Sequence, residues 1–202
     1  MKFKSVFLSF IIIVLFTSSG LFGQNILVNI DQICISKEEA KLHDLINDYR
    51  NSRGLEQIPL SINLTLVAKA HSADLYYNSP DDDYLCNMHS WSDNGKWEAC
   101  CYTSDHANAE CMWDKPRELT SYEGDGYEIA FFISPVTADI SMAHEALESW
   151  KLSPGHNNTI INAGIFRNAK WNAIGVGIYE EYVTVWFGEE HDKDGKPEKC
   201  VD

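Results

Sequence analysis

The chain has 202 residues, of which 45% are hydrophobic and 23% are charged, with 12 glycines and 6 prolines. This composition excludes a disordered, collagen-like or low-complexity chain. Sixteen basic and thirty acidic residues give a formal net charge of −14, and such a surface repels nucleic-acid phosphates and anionic lipid headgroups. We therefore expect one folded domain that has no role in nucleic-acid binding.

The N-terminus has the pattern of a secretory signal peptide. Lys2 and Lys4 precede an apolar stretch at 6–16, and small residues follow up to Gly23. The apolar stretch is too short to span a bilayer comfortably. We expect cleavage near Gly23, which makes residues 1–23 the signal peptide and the mature protein secreted, with no membrane span; an uncleaved anchor is the alternative.

Six cysteines lie in the exported part of the chain, and an even number in an oxidising compartment predicts disulfides. Four of them fall within residues 86–111, whereas the other two lie near the ends of the mature chain. We predict a terminal clasp and two local bridges of open pairing, because adjacent cysteines do not fit the usual spacing of a thiolate zinc site. The expected disulfide cysteines are Cys34, Cys200, Cys86, Cys100, Cys101 and Cys111.

Three helices are predicted from capping residues and apolar spacing. A capping box at 36–39 begins the first, an apolar stripe at 64–75 marks the second, and Thr137 is the expected N-cap of the third. The third helix is expected to end where Ser153 meets the following Pro-Gly.

Strands are predicted only after the third helix. Residues 173–178 and 182–187 are rich in β-branched and aromatic side chains and predict an antiparallel hairpin. Residues 84–127 show no sustained period and are expected to form long loops held by the cysteines. Helices before strands predict an α+β fold.

Common catalytic motifs of hydrolases and nucleotide-binding enzymes are absent from the sequence. A different set of short segments occurs in a fixed order over residues 38–190. They are LHDLINDYR at 42–50, AHSAD at 70–74, MHS at 88–90, GYEIA at 126–130, WKLSPGH at 150–156, IGVG at 174–177 and WFG at 186–188. Together they resemble the CAP superfamily of cysteine-rich secretory proteins, antigen 5 and pathogenesis-related proteins, in the form seen in its extracellular bacterial members.

This resemblance implies a three-layer α-β-α sandwich at 38–190, with a 24–37 extension before it and a 191–202 tail after it. It also implies a cleft lined by two histidines and two glutamates. His89 and His156 correspond to the histidines and Glu128 to the first glutamate, with Tyr127 or Glu123 as alternatives at that position. Ser153 occupies the place of the second glutamate, and serine cannot act as a carboxylate base.

The resemblance further implies that His89 and His156 could hold a divalent cation, zinc or another. Two imidazoles and a carboxylate would leave one position of a tetrahedral zinc open. The opposing interpretation treats both histidines as structural residues that fix loops. His71 lies on the apolar stripe of the second helix and is expected to be a satisfied core residue.

No evident nucleophile accompanies these histidines, so catalytic residues cannot be named. We expect an extracellular binding module for a lipid, sterol, glycan or protein. The alternative is a metal-dependent hydrolase of peptide, lipid or glycan that uses His89, His156 and Glu128, because the superfamily shares its fold more securely than its activity.

Overall fold

The computed structural model describes residues 33–201, so the predicted signal peptide at 1–23 lies outside the described residues. The elements in chain order are β1 Cys34–Ile35, α1 Lys37–Ser52, α2 Ile62–Asn78, α3 Ala109–Trp113, α4 Lys115–Leu119, β2 Tyr127–Phe132, α5 Met142–Leu152, α6 Pro154–Ile160, a 3₁₀ turn Gly164–Phe166, β3 Ala173–Tyr179, β4 Tyr182–Gly188 and β5 Glu198–Lys199.

Three layers build the domain. The antiparallel sheet β2-β4-β3 is the middle layer, with α2 on one face and α1, α5 and α6 on the other. The predicted α+β class with an α-β-α sandwich is confirmed. The predicted hairpin is present as β3 and β4, whereas β2 was not predicted as a strand.

The α1, α5 and α6 face of the sheet encloses the larger apolar core. Every second residue of the strands points into it, and the helices contribute one apolar stripe each. Its buried members include Leu42, Ile46, Ile129, Leu147, Trp150, Ile160, Val176, Val183, Val185 and Phe187.

The α2 face is built differently because the helix lies directly against the strands. A Cβ atom on Gly175 would overlap the backbone of Leu64, and one on Gly177 would overlap the backbone of Ala68. The Thr184 hydroxyl donates to the Ala68 carbonyl oxygen at 2.9 Å. Two glycines in β3 therefore set how closely α2 approaches the sheet.

Helix α1 begins as predicted. Ser36 Oγ accepts from the Glu39 amide at 3.2 Å, and Glu39 Oε2 accepts from the Ser36 amide at 2.7 Å. The buried Glu39 carboxylate also accepts from Lys69 of α2 and from the Ile178 amide of β3. One capping residue thus connects all three layers.

One expectation about the third helix was wrong and one was confirmed. The helix begins at Met142, with Ser141 rather than Thr137 as its N-cap, since the Thr137 hydroxyl instead donates to the Asp139 carboxylate. It ends where predicted: α5 stops at Leu152, Ser153 has extended backbone, and Pro154 occupies the first turn of a separate helix, α6. The predicted loop region 84–127 contains the short helices α3 and α4.

The two ends of the described chain meet. A disulfide joins Cys34 to Cys200, and β1 pairs in parallel with β5. This is the pairing that the terminal clasp requires. Among residues 33–201, no helix combines the length and apolar character needed to cross a membrane.

Candidate functional site

A cavity of about 610 Å³ opens beside the start of β2. The short helix α3 and the start of β2 form part of its wall, and α6 with the following 3₁₀ turn forms another part. The cavity is lined by His89, Tyr102, His106, Ala109, Met112, Trp113, Tyr127, Glu128, Gly155, His156, Asn158, Thr159, Gly164, Ile165 and Phe166.

Glu128 is the buried centre of the site. It lies on β2 opposite Trp186 of β4, on the sheet face that α2 covers. Its Oε1 atom is 2.5 Å from His71 Nδ1, and its Oε2 atom is 2.7 Å from His89 Nδ1. One carboxylate therefore orients two histidines from different parts of the chain.

His71 is fully enclosed and uses both ring nitrogens. Its Nε2 donates to the Ser90 carbonyl oxygen at 2.9 Å, and its ring stacks on Trp91 with centroids 4.1 Å apart. Burial alone would lower the pKa of His71, but the charge and hydrogen bond of Glu128, helped by Ser90, hold that pKa above its usual value.

For Glu128, burial and the neighbouring charges act on the pKa in the opposite directions. Burial alone would raise the pKa of Glu128, yet the charges of His71 and His89 and their hydrogen bonds hold that pKa below its usual value. Since an ionised carboxylate and a carbonyl can only accept, His71 donates from both nitrogens and is an imidazolium. His71 and Glu128 form a buried ion pair behind the cavity.

His89 stands between this pair and the cavity. The backbone amide of His89 donates to Asn87 Oδ1 at 3.0 Å, which fixes the turn that carries it. Because Nδ1 donates to Glu128, Nδ1 carries a proton, and in the neutral ring Nε2 is the nitrogen with a lone pair. No hydrogen bond from residues 33–201 occupies Nε2.

His156 reaches the same cavity from α6. Burial, and then the positive charge that His89 can carry, hold the pKa of His156 below its usual value. Neither of its ring nitrogens makes a hydrogen bond within the described part of the chain. His156 is therefore a neutral imidazole near pH 7, available to a ligand or a cation.

The structure brings three of the four predicted cleft residues to one cavity. His89, Glu128 and His156 line it, whereas Ser153 does not and instead precedes the first turn of α6. Of the alternatives for Glu128, Tyr127 also lines the cavity, and Glu123 lies on the surface in an ion pair with Lys193.

Two histidines have roles that the sequence did not assign. His71 is the satisfied core residue expected from its place on the apolar stripe, but it also holds Glu128. His106 lines the cavity, and its Nδ1 lies 3.0 Å from the Tyr102 hydroxyl. No sequence signal joins His71 to a glutamate 57 positions away, although the burial of a lone histidine implies a polar partner.

Two disulfides hold the loops beside the cavity. Cys86 pairs with Cys101, and Cys100 pairs with Cys111 in the middle of α3. The first closes the loop that carries His89, and the second attaches α3, which contributes Met112 and Trp113. The adjacent Cys100 and Cys101 thus connect one segment of the loop region to two others, the segment before His89 and helix α3.

The cleft residues supply only some of the ligands that a divalent cation needs. Both oxygens of Glu128 are used by histidines, so this carboxylate orients His89 as carboxylates behind metal-bound histidines do. His89 and His156 are the two cleft residues left that could bind a cation directly. Within residues 33–201, no three side chains of histidine, cysteine, aspartate or glutamate are grouped closely enough to hold a metal ion.

An α-β-α sandwich with disulfide-held loops and a cleft of two histidines and a glutamate defines a CAP-type domain. The model of the Cysteine-rich secretory protein family (CAP) matches residues 43–186. The chain belongs to this family.

The chain is similar to solved structures of bacterial proteins. An extracellular protein of Bacillus anthracis that contains an SCP domain aligns with a TM-score of 0.50 and 18% identity, over 76% of this chain and 40% of that one. An outer surface protein of Borrelia burgdorferi aligns with a TM-score of 0.48 and 18% identity, over 76% of this chain and 94% of that one.

The chain thus spans about two-fifths of the length of the Bacillus protein. A search of the curated proteins finds no significant match. At 18% identity and a TM-score of 0.50, the Bacillus structure supports the fold alone.

Proposed function

We propose that the protein is an extracellular binding module that takes a small amphipathic ligand into the cleft, where His89 and His156 can also bind a divalent cation. One observation carries this proposal. His89 and His156 each have a ring nitrogen that makes no hydrogen bond within residues 33–201. Both imidazoles line the same cavity of about 610 Å³ as the apolar side chains of Met112, Ile165 and Phe166.

The size and lining of the cavity suit a small molecule. Ligand sites of about 300–1,000 Å³ usually combine an apolar wall with a few oriented polar groups. His89 is held from behind by the buried Glu128, so it loses little freedom when a ligand binds. A molecule with an apolar body and a polar or anionic head matches both parts of the wall.

A divalent cation would be bound by His89 and His156, with water or the ligand head in the other positions. Such ligands must be neutral, and the lowered pKa of His156 favours that state near pH 7. Catalytic zinc sites usually have three protein ligands, so a pair of histidines favours binding over hydrolysis. The net charge of −14 attracts cations to the surface.

An extracellular location is supported by the predicted signal peptide and by three disulfides in the described residues. Disulfides are stable in oxidising compartments and rare in the cytosol.

Calorimetric titration with zinc tests the cation part of the proposal. We expect one ion to bind the wild-type protein, and His89→Ala or His156→Ala to weaken binding by about 10- to 100-fold. His144→Ala, at an exposed position of α5, is the matched control and should bind as the wild type does. Equal heats in all four proteins would contradict a cation site in the cleft.

A brominated fatty acid tests the amphipathic part, because bromine quenches tryptophan fluorescence and Trp113 lines the cavity. Ile165→Asp should weaken quenching about tenfold, since Ile165 is 87% exposed at the cavity and its loss does not affect the core. Leu152→Asp is the control, because Leu152 is 86% exposed but lies outside the cavity. Equal weakening in both variants would contradict binding in the cleft.

A further inference from the structure

A second surface, at the opposite end of the sheet from Glu128, consists of aromatic rings. On the α2 face, β2, β4 and β3 place three residues side by side in each row. One row is Glu128, Trp186 and Gly175, and the row four positions further along is Phe132, Tyr182 and Tyr179. The two rows are about 13 Å apart at the usual rise of a strand.

The end of α2 adds two more rings to this second row. Tyr76 and Tyr77 have ring centroids 5.3 and 5.2 Å from that of Tyr179, and the Tyr77 and Tyr179 hydroxyl groups are in contact. On the other side, the rings of Phe132 and Tyr182 are 4.9 Å apart. We call the five residues Tyr76, Tyr77, Phe132, Tyr179 and Tyr182 the tyrosine face.

The tyrosine face is open to solvent. Tyr76, Tyr77 and Phe132 are 40%, 41% and 46% exposed. Contiguous exposed aromatic surface is uncommon on a protein without a partner and marks an interaction site. No disulfide or cavity residue of the cleft belongs to it.

The charges around the tyrosine face are acidic. Glu180 and Glu181 form the turn between β3 and β4, and Asp81 and Asp82 follow the end of α2. The charged groups that act on the Tyr182 hydroxyl are Asp81, Asp82 and Glu181. One oxygen of Asp81 is enclosed and has no hydrogen-bond partner within residues 33–201, a cost that a nearby cation would offset.

We propose that the tyrosine face docks a basic segment of a partner protein, whose arginine or lysine side chains lie over the rings and between the carboxylates. Aromatic faces attract such cations electrostatically, and arginine also stacks on them. The four carboxylates around these rings favour a cationic partner over a neutral sugar, because a sugar carries no charge for the carboxylates to attract.

Titration with a capped hexa-arginine peptide tests this proposal. An acidic protein binds polycations through its net charge alone, so the decisive variants leave that charge unchanged. Tyr77→Ser combined with Phe132→Ser should weaken binding about tenfold, at about threefold for each ring removed. Tyr77→Phe keeps the ring and should bind nearly as well as the wild type.

Two double variants that have the same net charge show where on the protein the electrostatic attraction of the peptide arises. Asp82→Asn with Glu181→Gln removes two charges at the tyrosine face and should weaken binding more than fivefold. Glu145→Gln with Glu148→Gln removes two exposed charges of α5, on the other layer, and should change it less than twofold. Thermal denaturation of each variant verifies that it is folded.

Three results would overturn the proposal. The serine variants could bind the peptide as tightly as the wild type, which would assign binding to net charge. The two charge variants could lose affinity equally, which would give the same conclusion. A neutral hexasaccharide could bind in a salt-independent manner that the serine variants abolish, which would make the tyrosine face a glycan site.

Discussion

Both faces of the sheet bury an apolar cluster, but the α2 face adds a buried ion pair and two close-packed glycines. On the α1, α5 and α6 face, the core residues next to the sheet are aliphatic or aromatic, and Ile46 and Val185 are typical. Asn47 and Arg50 of α1 are buried there too. On the α2 face, the sheet carries Gly175 and Gly177 of β3 and Thr184 of β4, and its end nearest the cleft also carries the ion pair of Glu128 with His71.

This difference separates two sources of specificity. The apolar face is stabilised by burial, which is tolerant because many shapes of similar volume fill the same space. The α2 face also depends on close backbone approach and on the hydrogen bonds of the buried Glu128 and His71, where a single added methyl group or a lost partner costs a large free energy. Substitutions on the two faces should therefore differ in size and in pH dependence.

The largest effect is expected for Gly175→Val. Its side chain would overlap the Leu64 backbone, so α2 would have to move away from the sheet. We expect a loss of about 4 kcal/mol or more in the free energy of unfolding, measured with urea. Gly155→Val is the control, because a Cβ there meets no atom within 4 Å. Similar losses in both variants would show that close packing of α2 is not the cause.

A smaller loss, about 3 kcal/mol, is expected for His71→Gln, because Glu128 would remain buried without its strongest partner. The raised pKa of His71 also fixes the sign of the pH dependence. Its stabilisation is complete below the ordinary value of 6.5 and is lost as pH rises through the raised value.

Urea unfolding of wild type and His71→Gln at pH 5.5, 7 and 9, with a chelator present, measures this dependence. The difference between the two proteins should be greatest at pH 5.5 and should shrink toward pH 9. A difference that grew with pH would mean that His71 is neutral in the folded protein.

The features of the fold that the sequence predicts also differ from those that it does not. Features set by local chemistry were predictable, such as the capping box of Ser36 and Glu39 and the hairpin of β3 and β4. Strand β2 was not, because its buried positions include the charged Glu128, whose burial depends on histidines from distant segments. The start of α5 was misplaced because Thr137 and Ser141 are both good capping residues.

The cleft could be predicted only through the family resemblance. His89, Glu128 and His156 lie far apart in the sequence, and no spacing rule joins them. The sequence also did not show that Trp91 stacks on His71 while Trp113 lines the cavity, although both lie in the loop region beside the cleft. A contact that forms between loops leaves no periodic signal in the chain.

On the apolar face, Ile46→Val tests the tolerant side of the comparison. It removes one buried methyl group from α1, and we expect a loss of about 1 kcal/mol in the free energy of unfolding. The loss should be the same at pH 5.5, 7 and 9, because the larger core around Ile46 is apolar. A pH-dependent loss would show that the two faces of the sheet are coupled.

The smallest effect is expected for Glu123→Gln. This variant tests whether a short distance between charges or their burial makes an ion pair stabilising. Glu123 and Lys193 lie 2.6 Å apart, nearly as close as His71 and Glu128, but their side chains are 69% and 72% exposed. Water screens the exposed pair, so its loss should change the free energy of unfolding by no more than about 0.5 kcal/mol. Urea unfolding beside His71→Gln makes the comparison direct. A loss near 3 kcal/mol in Glu123→Gln would mean that the short distance between opposite charges, rather than enclosure behind the cleft, makes the His71 pair strong.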